Sequence, residues 1–363
     1  MNFIQILLLP ASLLYGCSVW LRNKFYDWGI FPSREFDFPV IGIGNLSAGG
    51  SGKTPHTEYL IRILKDKFRV STLSRGYGRS TSGFIAANEN SSSTEIGDEP
   101  KQYKKKFPGI LVAVDENRIR GIKNIKNKFP ETEIVLLDDA YQHRSVKPGL
   151  NILLTDYGKP YYEDFILPAG RLRESKKGRF RADVIIVTKT PDNFTHVERR
   201  LITKKINTLP HQQLYFSYIR YGNPVYFWEK KEKAGKDIKH FSKNKFSCIL
   251  LSGIANPKPL ENFLKNKFQE ITPLEYRDHH EYTLVDMYKL KEEFEKIKNE
   301  NKIIITTEKD AMRLEKPGML ELIKGLPIFY LPIEIAFRDN DEEELRKQVN
   351  DFLRSKITVK KNN

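Results

Sequence analysis

Cysteine is almost absent from this chain. Cys17 and Cys248 are the only two, and neither is flanked by other ligand-forming residues. A disulfide scaffold or zinc cluster is therefore not expected, and a reducing, cytosolic setting suits the body of the protein. Acidic side chains are in deficit, 46 Asp plus Glu against 61 Lys plus Arg for a formal charge of +15. That excess favours an acidic partner such as phospholipid, nucleic acid or a phosphorylated substrate. Nucleic acid is disfavoured, because the basic residues are spread along the chain without the interleaved aromatics that stack on bases. No repeat of solenoid length and no low-complexity tract is visible; 39% hydrophobic and 29% charged residues describe an ordinary globular body. At 363 residues the chain can bury a substantial core, and two domains are expected.

Charge is missing altogether from residues 3–21, a Leu-rich run followed by Arg22 and Lys24. Its length is about the minimum for a membrane span, but Gln5 and Pro10 interrupt it, so spanning the bilayer and lying in its interface both stay open. No basic residue precedes the run, which argues against a secretory signal even though Leu14-Tyr15-Gly16-Cys17 resembles a lipoprotein cleavage site. Arg22 and Lys24 keep the remainder cytoplasmic under the positive-inside tendency. The expectation is a membrane-associated helix over 1–24, with an anionic membrane surface as partner.

From residue 39 short apolar runs alternate with amphipathic stretches, the pattern of a mostly parallel sheet flanked by helices in an α/β fold. Strands are predicted at 40–44, 70–74, 110–114, 134–138, 152–155 and 184–188, and helices at 55–65, 100–107, 118–128 and 196–207. The segments 213–218 and 225–228 read as extended, and 229–245 is Lys-rich and poor in hydrophobic residues. A core domain over 25–215 and a junction over 216–245 follow. Beyond it, strands at 248–251, 303–306 and 328–331 and helices at 259–268, 284–298 and 342–354 predict a second, smaller α/β domain over 246–363.

The strongest local signal is Gly49-Gly50-Ser51-Gly52-Lys53-Thr54, preceded by an apolar strand and followed by Leu60, Ile61, Ile63 and Leu64 at helical spacing. Strand, glycine loop and helix form the context of a P-loop NTPase. Glycines let consecutive backbone N–H groups turn toward phosphate oxygens, and the helix adds its N-terminal partial charge. Residues 47–54, with Ser47 and Ala48 leading in, are the predicted nucleotide site; Lys53 would reach the β- and γ-phosphates and Thr54 would ligate Mg²⁺. The usual first glycine is missing, since Ser47 stands in its place. A carboxylate for the metal shell is expected at the end of a neighbouring strand, and Asp138 and Asp139 after Ile134-Val135-Leu136-Leu137 supply two. Neither Thr188-Lys189-Thr190-Pro191 nor Thr307-Glu308-Lys309-Asp310 matches the pattern that reads guanine, so ATP is favoured over GTP.

These residues resemble the tetraacyldisaccharide 4′-kinase family. The resemblance runs through Gly42-Ile43-Gly44-Asn45-Leu46, the phosphate loop, Ser74-Arg75-Gly76-Tyr77-Gly78, Gly97-Asp98-Glu99-Pro100 and Asp138-Asp139-Ala140-Tyr141-Gln142-His143-Arg144. It continues through Leu167-Pro168-Ala169-Gly170, Leu172-Arg173-Glu174, Gly253-Ile254-Ala255, Asp278-His279 and Thr307-Glu308-Lys309-Asp310. It implies ATP-dependent phosphorylation of the 4′-hydroxyl of tetraacyldisaccharide 1-phosphate in lipid A biosynthesis, on the cytoplasmic face of the bacterial inner membrane. The family's loop also lacks the first glycine, and the family carries an N-terminal membrane-associated helix.

Roles at particular positions are likewise what the resemblance implies. Asp98 is similar to the family's catalytic carboxylate, with His279 as its partner, although His280 adjoins it. Arg118 stands where an arginine near the transferred phosphate is found; read alone, it is a solvated residue at a helix start. Glu99, Gln142, Arg173 and Glu174 are positioning candidates. The basic run 171–181 reads either as a solvated loop or as a lip for anionic head groups. A kinase of another small-molecule or sugar substrate leaves the apolar N-terminus without a purpose. A nucleotide-driven binding module predicts a metal-ligand cluster or dimerisation element that the sequence does not display, and no obligate protein partner is evident.

Overall fold

Apolar runs buried on both faces dominate the first half of the chain, and they form the middle of a nine-stranded sheet. The computed structural model describes residues 3–228, 237–278 and 280–361. In chain order the strands are β1 Val40–Asn45, β2 Val70–Ser74, β3 Ile85–Ala86, β4 Leu111–Val114, β5 Ile134–Asp138, β6 Leu150–Asp156, β7 Val184–Thr188 and β8 Gln213–Tyr221. They are followed by β9 Val225–Tyr226, β10 Ser247–Ser252, β11 Glu270–Glu275, β12 Lys302–Thr307, β13 Ile328–Leu331 and β14 Ile333–Phe337. The large sheet has the order β14-β8-β7-β6-β1-β5-β2-β4-β3.

Pairing is parallel from β8 through β4, and β3 closes one edge antiparallel to β4. At the other edge, Arg338 N donates to Phe216 O and Gly222 N to Pro332 O. Those bonds run in opposite order along the two strands, so β8 and β14 are antiparallel. Alternate residues of β1 enter opposite layers: Ile41 and Ile43 pack with Leu60 and Ile61, whereas Val40 packs with Ile122 and Ile125. Helices therefore cover both faces, as a parallel sheet requires. β1 lies between β5 and β6, and a strand order that departs in both directions from one strand opens a crevice at the strands' carboxyl ends.

The chain forms two compact units, 1–219 with 335–363 and 220–334. The boundaries differ from the predicted 25–215, 216–245 and 246–363. Helix Asp341–Lys361, expected in the second domain, places Leu345, Val349 and Leu353 in the core of the first, which also contains the N-terminal helix Phe3–Asp27. Residues 229–236, within the predicted junction, lie outside the described residues. The second unit has a sheet of order β11-β10-β12-β13-β9, parallel except for β9. There Asp310 accepts from Gly253 N (3.0 Å) and Thr307 Oγ1 (2.7 Å), so the Thr307–Asp310 motif holds the loop after β10.

Candidate active site

The glycine run leaves β1 and enters helix Lys53–Leu64 through Gly52, whose φ of 86° puts it in the left-handed region that glycine tolerates. Lys53 and Thr54 open the helix, where unpaired backbone N–H groups favour an anion. The loop's entrance is pinned by Asn45 Nδ2 on Ser47 O (2.6 Å), by Ala48 N on Arg171 O (2.6 Å) and by a bridge between Ser47 and Leu172. Ser47 thus takes its place by strand-like pairing, which a first glycine is not needed to achieve. Ser47, Ala48, Gly49, Gly50 and Ser51 border a cavity shared with Asp156, Lys159 and Arg171.

Lys53 Nζ reaches Asn45 Oδ1 at 3.4 Å and Asp139 Oδ1 at 3.5 Å. Arg173 Nη1 approaches the same carboxylate at 3.2 Å and also donates to Gln142 Oε1. Burial alone would raise the Asp139 carboxyl, but Lys53 and Arg173 outweigh it and hold it below the usual carboxylate range. Gln142 Nε2 donates to Asn45 O (2.8 Å) and Glu174 Oε1 (3.1 Å). Glu174, 1% exposed, further accepts from Arg181 and from Asn23 of the N-terminal helix. Predicted residues from three separate motifs thus meet in one network.

Asp138, at the end of β5, is also 1% exposed. Tyr103 donates its hydroxyl to Asp138 Oδ2 at 2.7 Å, while Oδ1 has no hydrogen-bond partner among the described residues. Burial and then the nearby Glu99 push this carboxyl up to about 7. An orphaned buried carboxylate oxygen suits Mg²⁺, which retains several waters and takes phosphate oxygens, so few protein ligands suffice. The described residues contain no cluster of three His, Cys, Asp or Glu that could cage a metal. Tyr103 was not foreseen; its signal was the i, i+4 spacing from Glu99 on helix Asp98–Lys106, which puts both side chains on one face.

Arg118 is 2% exposed, so the solvated alternative fails. Its Nη1 donates to Asp115 O (2.7 Å) and its Nη2 to Asp138 O (3.1 Å), fastening the carboxyl end of β5 to the end of β4. Burial draws the guanidinium down to about 10. Asp98 is the first residue of its helix, after Gly97 with φ 94°. A Cβ at Gly97 would lie 3.0 Å from Tyr77 O, so the Arg75-Gly76-Tyr77 loop and the Asp98 helix require glycine there. His279 lies outside the described residues. His280 is engaged elsewhere, with Nε2 2.9 Å from Asp286 Oδ2 and its ring stacked on Tyr276 at 4.5 Å.

The basic run 171–181 is largely turned inward: Arg171 pairs with Asp164, Arg173 with Asp139, Arg181 with Glu174, and Arg179 donates to Asn207 O. Lys176 and Lys177 are exposed. The N-terminal helix lies along the preceding segment. Ser12 Oγ accepts from Ala169 N (2.9 Å), Tyr15 OH donates to Arg173 O (3.1 Å), and Arg144 binds Asn23 O and Asp27. Its remaining surface is apolar and open, with Phe3, Ile4, Leu7, Leu13, Leu14 and Trp20 all exposed. The helix is long and apolar enough to cross a membrane by length and composition.

Known proteins resemble this chain in sequence and fold. Residues 4–354 match the family described as Tetraacyldisaccharide-1-P 4′-kinase. The Tetraacyldisaccharide 4′-kinase of Bacteroides thetaiotaomicron is 46% identical over 361 residues, covering 97% of this chain and 95% of the relative. That of Flavobacterium johnsoniae is 43% identical over 342 residues, covering 94% and 95%. The crystal structure of the "apo" form of LpxK from Aquifex aeolicus in complex with ATP superposes with a TM-score of 0.73 at 29% identity, covering 97% of this chain and 100% of that one. With its phosphate loop, paired carboxylates and apolar helix combined in one unit, the chain belongs to the Tetraacyldisaccharide-1-P 4′-kinase family.

Proposed function

We propose that the protein transfers the γ-phosphoryl group of ATP to the 4′-hydroxyl of tetraacyldisaccharide 1-phosphate, at the cytoplasmic face of the inner membrane. The observation carrying this reading is the convergence of Lys53, Asp138, Asp139 and Arg173 beside a phosphate loop to whose flank an apolar helix is strapped. The loop N–H groups and Lys53 hold the phosphates, and Lys53 offsets charge on the migrating group. Thr54 and Asp138, with Asp139 beside them, would hold Mg²⁺, which when bound neutralises phosphate charge. Arg118 orients the Asp138–Asp139 turn, since both its Nη atoms are bonded to backbone carbonyls. Asp98 accepts the hydroxyl proton as the sugar oxygen bonds to phosphorus and ADP leaves; the family resemblance gives His279, which lies outside the described residues, as its partner. Glu174, Gln142 and Arg173 brace the acceptor side, and Glu99 stands beside the metal-binding carboxylate.

The N-terminal helix keeps the enzyme beside its lipid, and its basic flank, Arg22 and Lys24, faces the cytoplasmic head groups. The deciding experiment is transfer from γ-labelled ATP to purified disaccharide 1-phosphate lipid, with a soluble sugar as control. Labelling of the lipid alone supports the reading; equal labelling of both ends it.

A further inference from the structure

Three consecutive carbonyls of the phosphate loop are gripped by side chains outside it. Gly50 O accepts from Lys189 Nζ, Ser51 O from Thr188 Oγ1 (2.9 Å), and Gly52 O from His56 Nδ1 (2.7 Å). Lys189 and Thr188 sit at the end of β7, whereas His56 belongs to the helix that the loop itself opens. Gly52 O also accepts the ordinary helical bond from His56 N at 3.2 Å, so the imidazole uses its second lone pair. The far nitrogen of the ring, Nε2, lies 2.9 Å from Ser217 Oγ on β8. His56 is 2% exposed, and its ring meets Phe337 edge-on at 6.4 Å. The ring therefore spans from the loop to a strand two places away from β6 in the sheet.

A carbonyl only accepts, so the ring nitrogen facing Gly52 carries the hydrogen, and the Ser217 hydroxyl can donate to the other nitrogen. In a trans peptide the N–H points opposite to the C=O. Fixing Gly52 O toward the ring thus fixes Lys53 N–H away from it, toward the side on which a nest of backbone donors receives phosphate. We infer that His56 is a positioning residue for phosphoryl transfer: its imidazole, protonated at Nδ1 and anchored at Nε2 by Ser217, holds the Gly52–Lys53 peptide in its phosphate-binding orientation. The inference rests on the phosphate-loop reading above and adds a residue that the glycine-lysine motif does not contain.

Three substitutions separate the two bonds of the ring. His56→Asn puts an amide nitrogen near the Nδ1 position but cannot reach Ser217; His56→Gln reaches toward Ser217 and loses Gly52; His56→Phe fills the space with neither. Steady-state kinetics at saturating lipid should show kcat down about 10-fold in His56→Phe and His56→Gln, a loss on the scale of one hydrogen bond. His56→Asn should recover most of kcat even where its thermal midpoint falls as far as that of His56→Gln. A purely structural role would instead make kcat follow the thermal midpoint across the three. In protein with ¹⁵N-labelled histidine, the His56 resonances should report a neutral ring carrying its hydrogen on Nδ1, and Ser217→Ala should lower kcat by about 3-fold. An Nε2–H tautomer in the unmutated enzyme, or a folded His56→Phe enzyme with normal kcat, overturns the inference. If His56→Phe does not fold, the tautomer spectrum and Ser217→Ala decide alone. A normally active Lys53→Ala enzyme would remove the phosphate-loop reading itself, which the tautomer measurement does not address.

Discussion

Asn23 Nδ2 donates to Glu174 Oε2 at 3.0 Å, joining the apolar N-terminal helix to a buried carboxylate that Gln142 and Arg181 also serve. Since Gln142 and Arg173 continue the network to Asp139, the helix is wired to the carboxyl end of β5. Asn23→Ala should lower turnover on bilayer-embedded lipid by up to about 10-fold, the scale of a lost hydrogen bond to a charged group. The KM for ATP should stay within about 2-fold, because no nucleotide contact is assigned to Asn23. Parallel titrations of lipid and ATP check this.

Lys53→Ala and Thr54→Ala should each cut turnover by about 10²-fold or more, the scale for a lost transition-state contact. They should then part company. Raising Mg²⁺ should partly restore Thr54→Ala, which lacks the proposed metal ligand, and leave Lys53→Ala, which lacks a charge, impaired. Activity measured against Mg²⁺ concentration distinguishes them.

Asp98→Ala and His279→Ala should each slow turnover while ATP binding persists, and the double variant should be far less impaired than the product of the single defects. Asp98→Asn should match Asp98→Ala, since it keeps the shape and loses the proton acceptor. An active Asp98→Asn enzyme would move the base to Asp139.

Tyr103→Phe removes the donor on Asp138 Oδ2 and leaves a buried carboxylate that Glu99 and Asp139 disfavour and Lys53 alone of the named charges favours. Stability should fall by about 1–3 kcal/mol without nucleotide, the cost of an unsatisfied buried acceptor. Mg²⁺ with ATP should recover part of the loss by mass action. Thermal melts with and without the nucleotide complex give the comparison.

His143 supplies a pH signature. Burial, then the cations Arg118 and Arg75, pull its imidazole down to about 4, whereas an unfolded histidine titrates near 6.5. Between those values the unfolded chain binds the extra proton. The His143 contribution is therefore constant above about pH 6.5 and declines as pH falls toward 4, at no more than about 1.4 kcal/mol per pH unit. Denaturant titrations across this window should show a shallower acid decline in His143→Asn than in the unmutated protein.

Strands β2, β5, β7 and β13 and helix Arg118–Lys128 fall where their sequence patterns place them, because the largely apolar runs of β5, β7 and β13, the alternation of apolar or β-branched residues with serine in β2 and a clean helical period leave few alternatives. β11 was missed: it is an edge strand whose Glu270, Thr272 and Pro273 dilute its apolar character. β14 was missed because one residue, Pro332, separates it from β13, yet it pairs in the other sheet. The nucleotide loop and the Asp138–Asp139 pair were legible, since both are contiguous and carry their own strand contexts. Asn23, His56 and Tyr103 were not. Their partners lie 151, 161 and 35 positions away; of the three only Tyr103 has a local signal, its i, i+4 spacing from Glu99, and nothing local distinguishes the other two from ordinary helix surface.

Both crossings between the two units occur at neighbouring antiparallel strands, β8 leaving the first unit and β14 returning to it. The consequence lies in the order of synthesis. Ile335, Phe337, Leu345, Val349 and Leu353 complete the layer that covers Ile41, Ile43 and Leu60, but they leave the ribosome after the residues they cover and after residues 220–334. Residues 220–334 are continuous and can close their own core first, while the older nucleotide unit waits with an apolar face uncovered. A premature stop within the final helix therefore injures the unit that was begun first, and spares the one completed just before it.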